Sequence, residues 1–233
     1  MTLDPAPDSH ESEAGISELI REDILQGRLG ANERLVVSAL ARRYGTSTNP
    51  VREALQQLRG EGFVLMSPNR GARVRPIDPS FVRDLYEIEM LIQPSLTRWF
   101  VTIATPADIA ELERLQAEIE ALDFADPVRH SELDFRFHML MYERHYNRHM
   151  VELWSRYRAV LHAMSRTHAT GLLRRAAVIR EHRALLETIK AQDVEAAVST
   201  ILTHVEEAGR HIVQQMLAAR HEHGRTIWPA TTI

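Results

Sequence analysis

The sequence predicts a mostly α-helical chain in two parts, three short helices closed by a small β-hairpin and then an all-α bundle of about six helices. Three observations predict it. Apolar residues recur at helical spacing through nearly the whole chain. The strand-type runs, each about four residues long, cluster between residues 63 and 75 around a turn-rich tip. Beyond that tip, Asp78-Pro79 and Asp126-Pro127 pair a capping acid with a proline at the first helical position.

Residues 1–13, acid-containing and poor in apolar side chains, read as a disordered tail. From Ile16 the positions Ile16, Leu19, Ile20 and Ile24 trace one helix face, which Gly27 ends. A second helix is expected from a Ser38 cap to Tyr44, with Gly45 as its stop. A third begins near Ser47, tolerates Pro50 in its first turn, and buries Val51, Ala54, Leu55 and Leu58. Phe63–Met66 and Ala72–Arg75 flank the tip Ser67-Pro68-Asn69-Arg70-Gly71 as a hairpin. Three helices and a hairpin make a winged helix-turn-helix over residues 14–77. The bundle, 78–220, is expected as helices at roughly 80–103, 106–122, 128–145, 148–166, 172–191 and 193–220, with breaks at Asn147, Gly171 and Gln192-Asp193. Residues 221–233 read as a loose tail.

The chain of 233 residues has no cysteine, which excludes thiol catalysis, thiolate metal sites and disulfides. It shows no export leader and no run of about 20 apolar residues, so a cytoplasmic protein without membrane partners is expected. Net charge is −4, but the average hides a segregation. Residues 1–15 carry four acids and no base. Residues 16–77 carry ten arginines against six acids, a balance of +4, and residues 78–233 carry 18 bases against 22 acids, a balance of −4. A basic module ahead of an acidic one suits a protein with one nucleic-acid face.

In such a module the second helix of the pair enters the major groove and its first turn meets base edges and phosphates. That turn is Ser47-Thr48-Asn49-Pro50-Val51-Arg52, and Arg70 and Arg73 stand at the wing. Pro50-Val51-Arg52-Glu53-Ala54-Leu55, Leu58, Glu61-Gly62-Phe63 and Asn69-Arg70-Gly71-Ala72-Arg73-Val74 resemble the DNA-binding domain of the GntR family, and the helical remainder resembles the FCD-type effector domain of its FadR subfamily. The resemblance implies a homodimeric transcriptional regulator, usually a repressor and not an enzyme, that binds a palindromic double-stranded operator and answers to a small metabolite. It implies DNA contacts by Arg34, Ser47, Asn49 and Arg52 with Gly71 at the wing tip, and Thr48, Arg70 and Arg73 join them by their places in that first turn and at the wing. The family usually has Arg-Thr at the place of Thr48-Asn49 and often Glu at that of Val37, so the operator sequence does not carry over.

Asp134 and His138 lie at i and i+4, on one helix face. His182 and His204 fall about nine residues before and about twelve after the Gln192-Asp193 turn, so in an antiparallel hairpin they stand level to within about one helical turn. Facing inward, the four would share a centre; by spacing alone, buried histidines satisfied by hydrogen bonds remain the alternative. The resemblance favours metal, because subfamily members with Asp-x-x-x-His and one His in each of the last two helices bind it. One carboxylate and three imidazoles suit zinc first, with nickel, manganese or iron as further choices, and leave room for an effector group such as a carboxylate. His145 and His149, also four apart, straddle a helix break and are a weaker pair.

Many relatives carry Arg at the position of Glu89 and Glu at that of Gln93. Glu89 would repel an acidic effector, for which Arg136, Arg156, Arg158 or Arg180 are substitutes, unless Glu89 points to solvent or pairs with an arginine. A regulator with a structural metal or none, and a helical metallohydrolase, are the alternative readings.

Overall fold

The computed structural model of the chain describes residues 9–68, 71–122, 125–165 and 172–225. Two compact units divide it, Met1–Ile77 and Asp78–Ile233. Arg70, the break at Gly171 and the outer parts of both tails, 1–8 and 226–233, lie outside the described residues.

In the first unit, α1 (Ser9–Leu25) is longer than expected and begins inside the segment read as a tail. Ile16, Ile20 and Ile24 are buried as their spacing requires, whereas Leu19 is 50% exposed. α1 lies against α3, where Arg21 Nη2 donates to Glu61 Oε2 at 2.8 Å. α2 spans Val37–Arg43 and starts from Val36, not from a Ser38 cap, with no side-chain capping bond. α3 spans Thr48–Glu61 and stops at Gly62, whose φ of 96° is open to glycine at no steric cost. β2 (Val64–Ser67) and β3 (Gly71–Val74) form the expected hairpin, with Val64 opposite Val74 and Ser67 opposite Gly71. A further two-residue strand, β1 (Arg34–Leu35), pairs antiparallel with β3, so the sheet order is β1-β3-β2. This is a winged helix-turn-helix.

The second unit is helical throughout its described residues: α4 (Pro79–Ile103), α5 (Pro106–Leu122), α6 (Pro127–Tyr142), α7 (Arg148–Ser165), α8 (Leu172–Lys190) and α9 (Val194–Arg225). Starts are written in side chains. Asp78 accepts from Phe81 N at 2.9 Å and Asp126 from Arg129 N at 3.0 Å. Thr105 and Asp108 cap α5 reciprocally, the carboxylate accepting from Thr105 N at 2.8 Å and the hydroxyl from Asp108 N at 3.3 Å. α9 runs on through residues 221–225, which were read as loose. α4 and α9 pack along each other, and at Gly209 the approach is so close that a Cβ would stand 2.6 Å from Tyr86 Cγ. α8 and α9 form the expected hairpin, turned at Gln192 (φ 55°) and restarted where Asp193 accepts from Ala196 N at 3.0 Å.

Candidate metal centre and nucleic-acid interface

α3 buries one stripe, Val51, Ala54, Leu55 and Leu58, and so turns its first-turn polar residues outward. Ser47, Asn49 and Arg52 are exposed and Thr48 half-buried. The Ser47 hydroxyl makes no capping bond to the helix it precedes. Arg52 Nη1 donates to Asn49 Oδ1 at 3.3 Å, which holds the amide and the guanidinium on one face. β1 places Arg34 opposite Arg73 across the sheet, both exposed, and Arg73 Nη1 donates to the Asn32 carbonyl at 2.9 Å. Arg34, Arg52 and Gly71 line one open groove between α3 and the wing, with Gln56 and Ser67. Gly71 has a φ of 72°, a backbone region in which a side chain is strained.

In the helical unit the four residues singled out by spacing converge. Asp134 and His138 from α6, His182 from α8 and His204 from α9 are all buried, and one ligand atom from each lies within 4.8 Å of every other. Ring centroids of the three histidines stand 4.9 to 5.3 Å apart. Asp134 Oδ1 lies 3.5 Å from His182 Nε2 and 3.9 Å from His138 Nε2.

Partners outside the four set their orientation. Gln116 Oε1 accepts from His182 Nδ1 at 3.0 Å, and Gln116 is itself fixed by donating through Nε2 to Glu120 Oε1 at 2.8 Å. Glu181 Oε2 accepts from His204 Nδ1 at 2.8 Å, while Arg174 donates to the same carboxylate at 2.6 Å. With Nδ1 carrying the proton in both rings, each Nε2 is left as a lone-pair donor. Arg158 donates to Asp134 Oδ2, which leaves Oδ1 facing the rings.

Electrostatics match that arrangement. Burial would raise the Asp134 carboxyl, but Arg158 and the neighbouring rings outweigh it and hold it well below the usual range. Burial holds His138 well below its usual value, and burial with neighbouring His204 lowers His182 to about 3. At neutral pH the site therefore presents the Asp134 carboxylate and, at His138 and His182, neutral imidazoles, the forms in which these groups bind metal.

The residues present fit a divalent ion. His182 Nε2 and both ring nitrogens of His138 are buried without a hydrogen-bond partner, a state that is costly for polar atoms unless something completes it. An ion with donors at about 2.0–2.2 Å keeps them at most about 4.4 Å apart, so the four need close by only a few tenths of an ångström.

Of the effector residues proposed from sequence, Arg158 touches the cluster through Asp134, and Glu89 is buried on α4. Arg136 is exposed: two residues beyond Asp134, it lies on another face of α6 and acts on Glu111 instead. Gln116, Glu181 and Arg174 were missed; each meets its histidine from another helix or from a neighbouring face, and no local spacing announces that.

Two family descriptions match the chain, "Bacterial regulatory proteins, gntR family" over residues 13–74 and "FCD domain" over 84–207. The galactonate operon transcriptional repressor of Escherichia coli (strain K12) is 25% identical over 212 residues, covering 82% of this chain and 92% of that one. The putative L-lactate dehydrogenase operon regulatory protein of the same strain is 26% identical over 248 residues, covering 90% and 94%. The solved structure of E. coli McbR/YncC, 21% identical, superposes with a TM-score of 0.65 over 88% of this chain and 98% of that one, a likeness of fold. Among the described residues no helix is long and apolar enough to cross a membrane. With a winged helix that matches one description and a six-helix bundle that matches the other, the chain belongs to the GntR family of bacterial transcriptional regulators, of the FadR type with an FCD domain.

Proposed function

We propose that this chain is a cytoplasmic, homodimeric repressor whose affinity for a palindromic operator is set by a small metabolite bound at a divalent-metal centre in the helical unit, and that it is not an enzyme. The observation that carries the metal is the convergence of four buried ligand atoms within 4.8 Å, with ring nitrogens that have no other partner. Asp134, through Oδ1, and one nitrogen each of His138, His182 and His204 would hold the ion, zinc being the best fit to this donor set. When bound, it supplies a positive centre able to take an acidic group.

The chain's own residues do the rest. Gln116 and Glu181 keep His182 and His204 in one tautomer, and Arg158 keeps Asp134 to a single inward oxygen. On the DNA side, Ser47, Thr48, Asn49 and Arg52 read the groove, and Arg34, Arg70, Gly71 and Arg73 meet the backbone around it. Control is a population shift: effector and operator favour different spacings of the two winged helices in the dimer, and a coupling of about 1–3 kcal/mol alters operator affinity roughly 5- to 150-fold. Relatives named for galactonate and L-lactate operons make hydroxy acids the first effectors to try.

The test has two parts. Sequencing of genomic fragments retained by the purified protein at moderate salt is expected to return a discrete palindrome beside a few operons. Metal analysis is expected to find one ion per chain, lost in His182→Ala together with the effector response. Full metal occupancy in His182→Ala would refute the proposed ligand set, and metal loss without any change in effector response would favour a structural ion.

A further inference from the structure

Gln56 stands one turn beyond Arg52 on the outward face of α3. At about 100° per residue, Asn49, Arg52 and Gln56 fall within about 60° of arc, on the side away from the buried stripe of Val51, Ala54, Leu55 and Leu58. All three are exposed. From 49 to 56 the helix rises about 10.5 Å, which is about three base-pair steps of B-DNA. Gln56 also lines the open groove between α3 and the wing, together with Arg34, Arg52, Ser67 and Gly71.

The amides along this helix are not equivalent. Asn49 Oδ1 accepts from Arg52 Nη1 at 3.3 Å and so helps to orient the guanidinium. Gln57 donates to Glu61 Oε1 at 2.8 Å, and Arg21 holds the same carboxylate from α1. Among the described residues no hydrogen bond holds the Gln56 amide. A neutral amide adds little to the attraction for phosphates, which depends on charge. Its donor and acceptor, side by side in one plane, match instead the N7 acceptor and the N6 amino group that adenine presents in the major groove. Arg52, one turn before it, carries the fork that matches O6 and N7 of guanine.

We propose that Gln56 reads sequence: its Nε2 donates to N7, and its Oε1 accepts from N6, of an adenine in each operator half-site, beside the base pair that Arg52 meets. This rests on the operator-binding reading above and adds to it one base identity and the residue that selects it.

The full-length protein loaded with zinc, Gln56→Ala and Gln56→Arg each select from a pool of random-sequence duplex DNA at moderate salt, and the retained duplexes are sequenced. The wild type is expected to return a palindrome, and Gln56→Ala the same palindrome without its preference for an A·T pair at one position per half-site. When that pair is changed to G·C in one half-site, wild-type affinity is expected to fall about 5- to 150-fold, whereas Gln56→Ala binds the two duplexes alike. Gln56→Arg is expected to move the preference at the same position to guanine, which a loss of stability cannot do. Melting is read for each variant, and if Gln56→Ala does not fold, Gln56→Arg decides the matter. An unchanged palindrome in every folded variant, a loss of affinity uniform across sequences, as a phosphate contact would give, or a changed preference at a base other than adenine overturns the proposal and leaves the operator reading standing. A wild type that selects no sequence overturns both.

Discussion

Acidifying the metal-free protein should destabilise its helical unit, and Glu89 should blunt the effect. His138 and His182 are held by burial below the ordinary value of 6.5, His182 at about 3, so each is neutral when folded and takes up a proton on unfolding as pH falls below 6.5. Stability from a group lowered in this way is present above 6.5 and falls as pH drops. His130, also lowered by burial, adds with the same sign. Glu89 has the opposite sign: raised from 4.5 to about 7, it is protonated when folded and releases its proton on unfolding. Between pH 5 and 6 the net uptake is therefore about one to two protons, a loss of about 1.4–2.7 kcal/mol per pH unit. All three tryptophans lie beyond residue 77, with Trp154 fully buried, so urea unfolding followed by tryptophan fluorescence in chelator reads this unit. Glu89→Gln removes the opposing group and should steepen the slope by about 1.4 kcal/mol per pH unit. A flat wild-type profile across that range, or an unchanged slope in Glu89→Gln, would refute the reasoning.

Gln116→Leu removes the acceptor that orients His182 and should weaken metal binding about 10- to 100-fold while leaving the four ligands in place, read by competition with a chromophoric chelator. Gly209→Ala sets a methyl against the Tyr86 ring and should cost about 1–3 kcal/mol in urea unfolding; wild-type stability would mean that α4 and α9 can part without strain. Arg52→Ala, at an exposed position, should leave stability within about 0.5 kcal/mol yet lower operator affinity. If it meets a phosphate, the salt slope of binding falls by about one.

Much of this was legible in the sequence, for physical reasons that also mark where legibility ends. Helix starts at Asp78, Thr105 and Asp126 are announced by residues whose side chains make the capping bonds. Asp134 and His138 share a face because they are one turn apart, and His182 and His204 meet because their hairpin is short. The same periodicity places Arg136 away from that face, which residue type alone had obscured. Position also puts Glu89 in the buried stripe with Leu85, Tyr86 and Ile92, although its charge argues for the surface. β1 was not legible because two residues carry no alternation, and its existence depends on β3, 37 residues away, with Arg34 paired to Arg73 across a gap of that kind. Gln116 and Glu181 were hidden for the same reason: each finds its histidine on another helix.

The turn at Gln192 has a consequence for how this centre can vary. His182 precedes it by ten residues and His204 follows it by twelve, so the two ligands are held in phase only by the number of residues between them. One inserted residue would rotate everything after it by about 100° and advance it by about 1.5 Å, swinging His204 off the inward face while leaving both helices intact. Gln192 and Asp193 can therefore change in identity at modest cost, but the spacing between the two histidines cannot drift by a single residue without dismantling a site more than a full helical turn away.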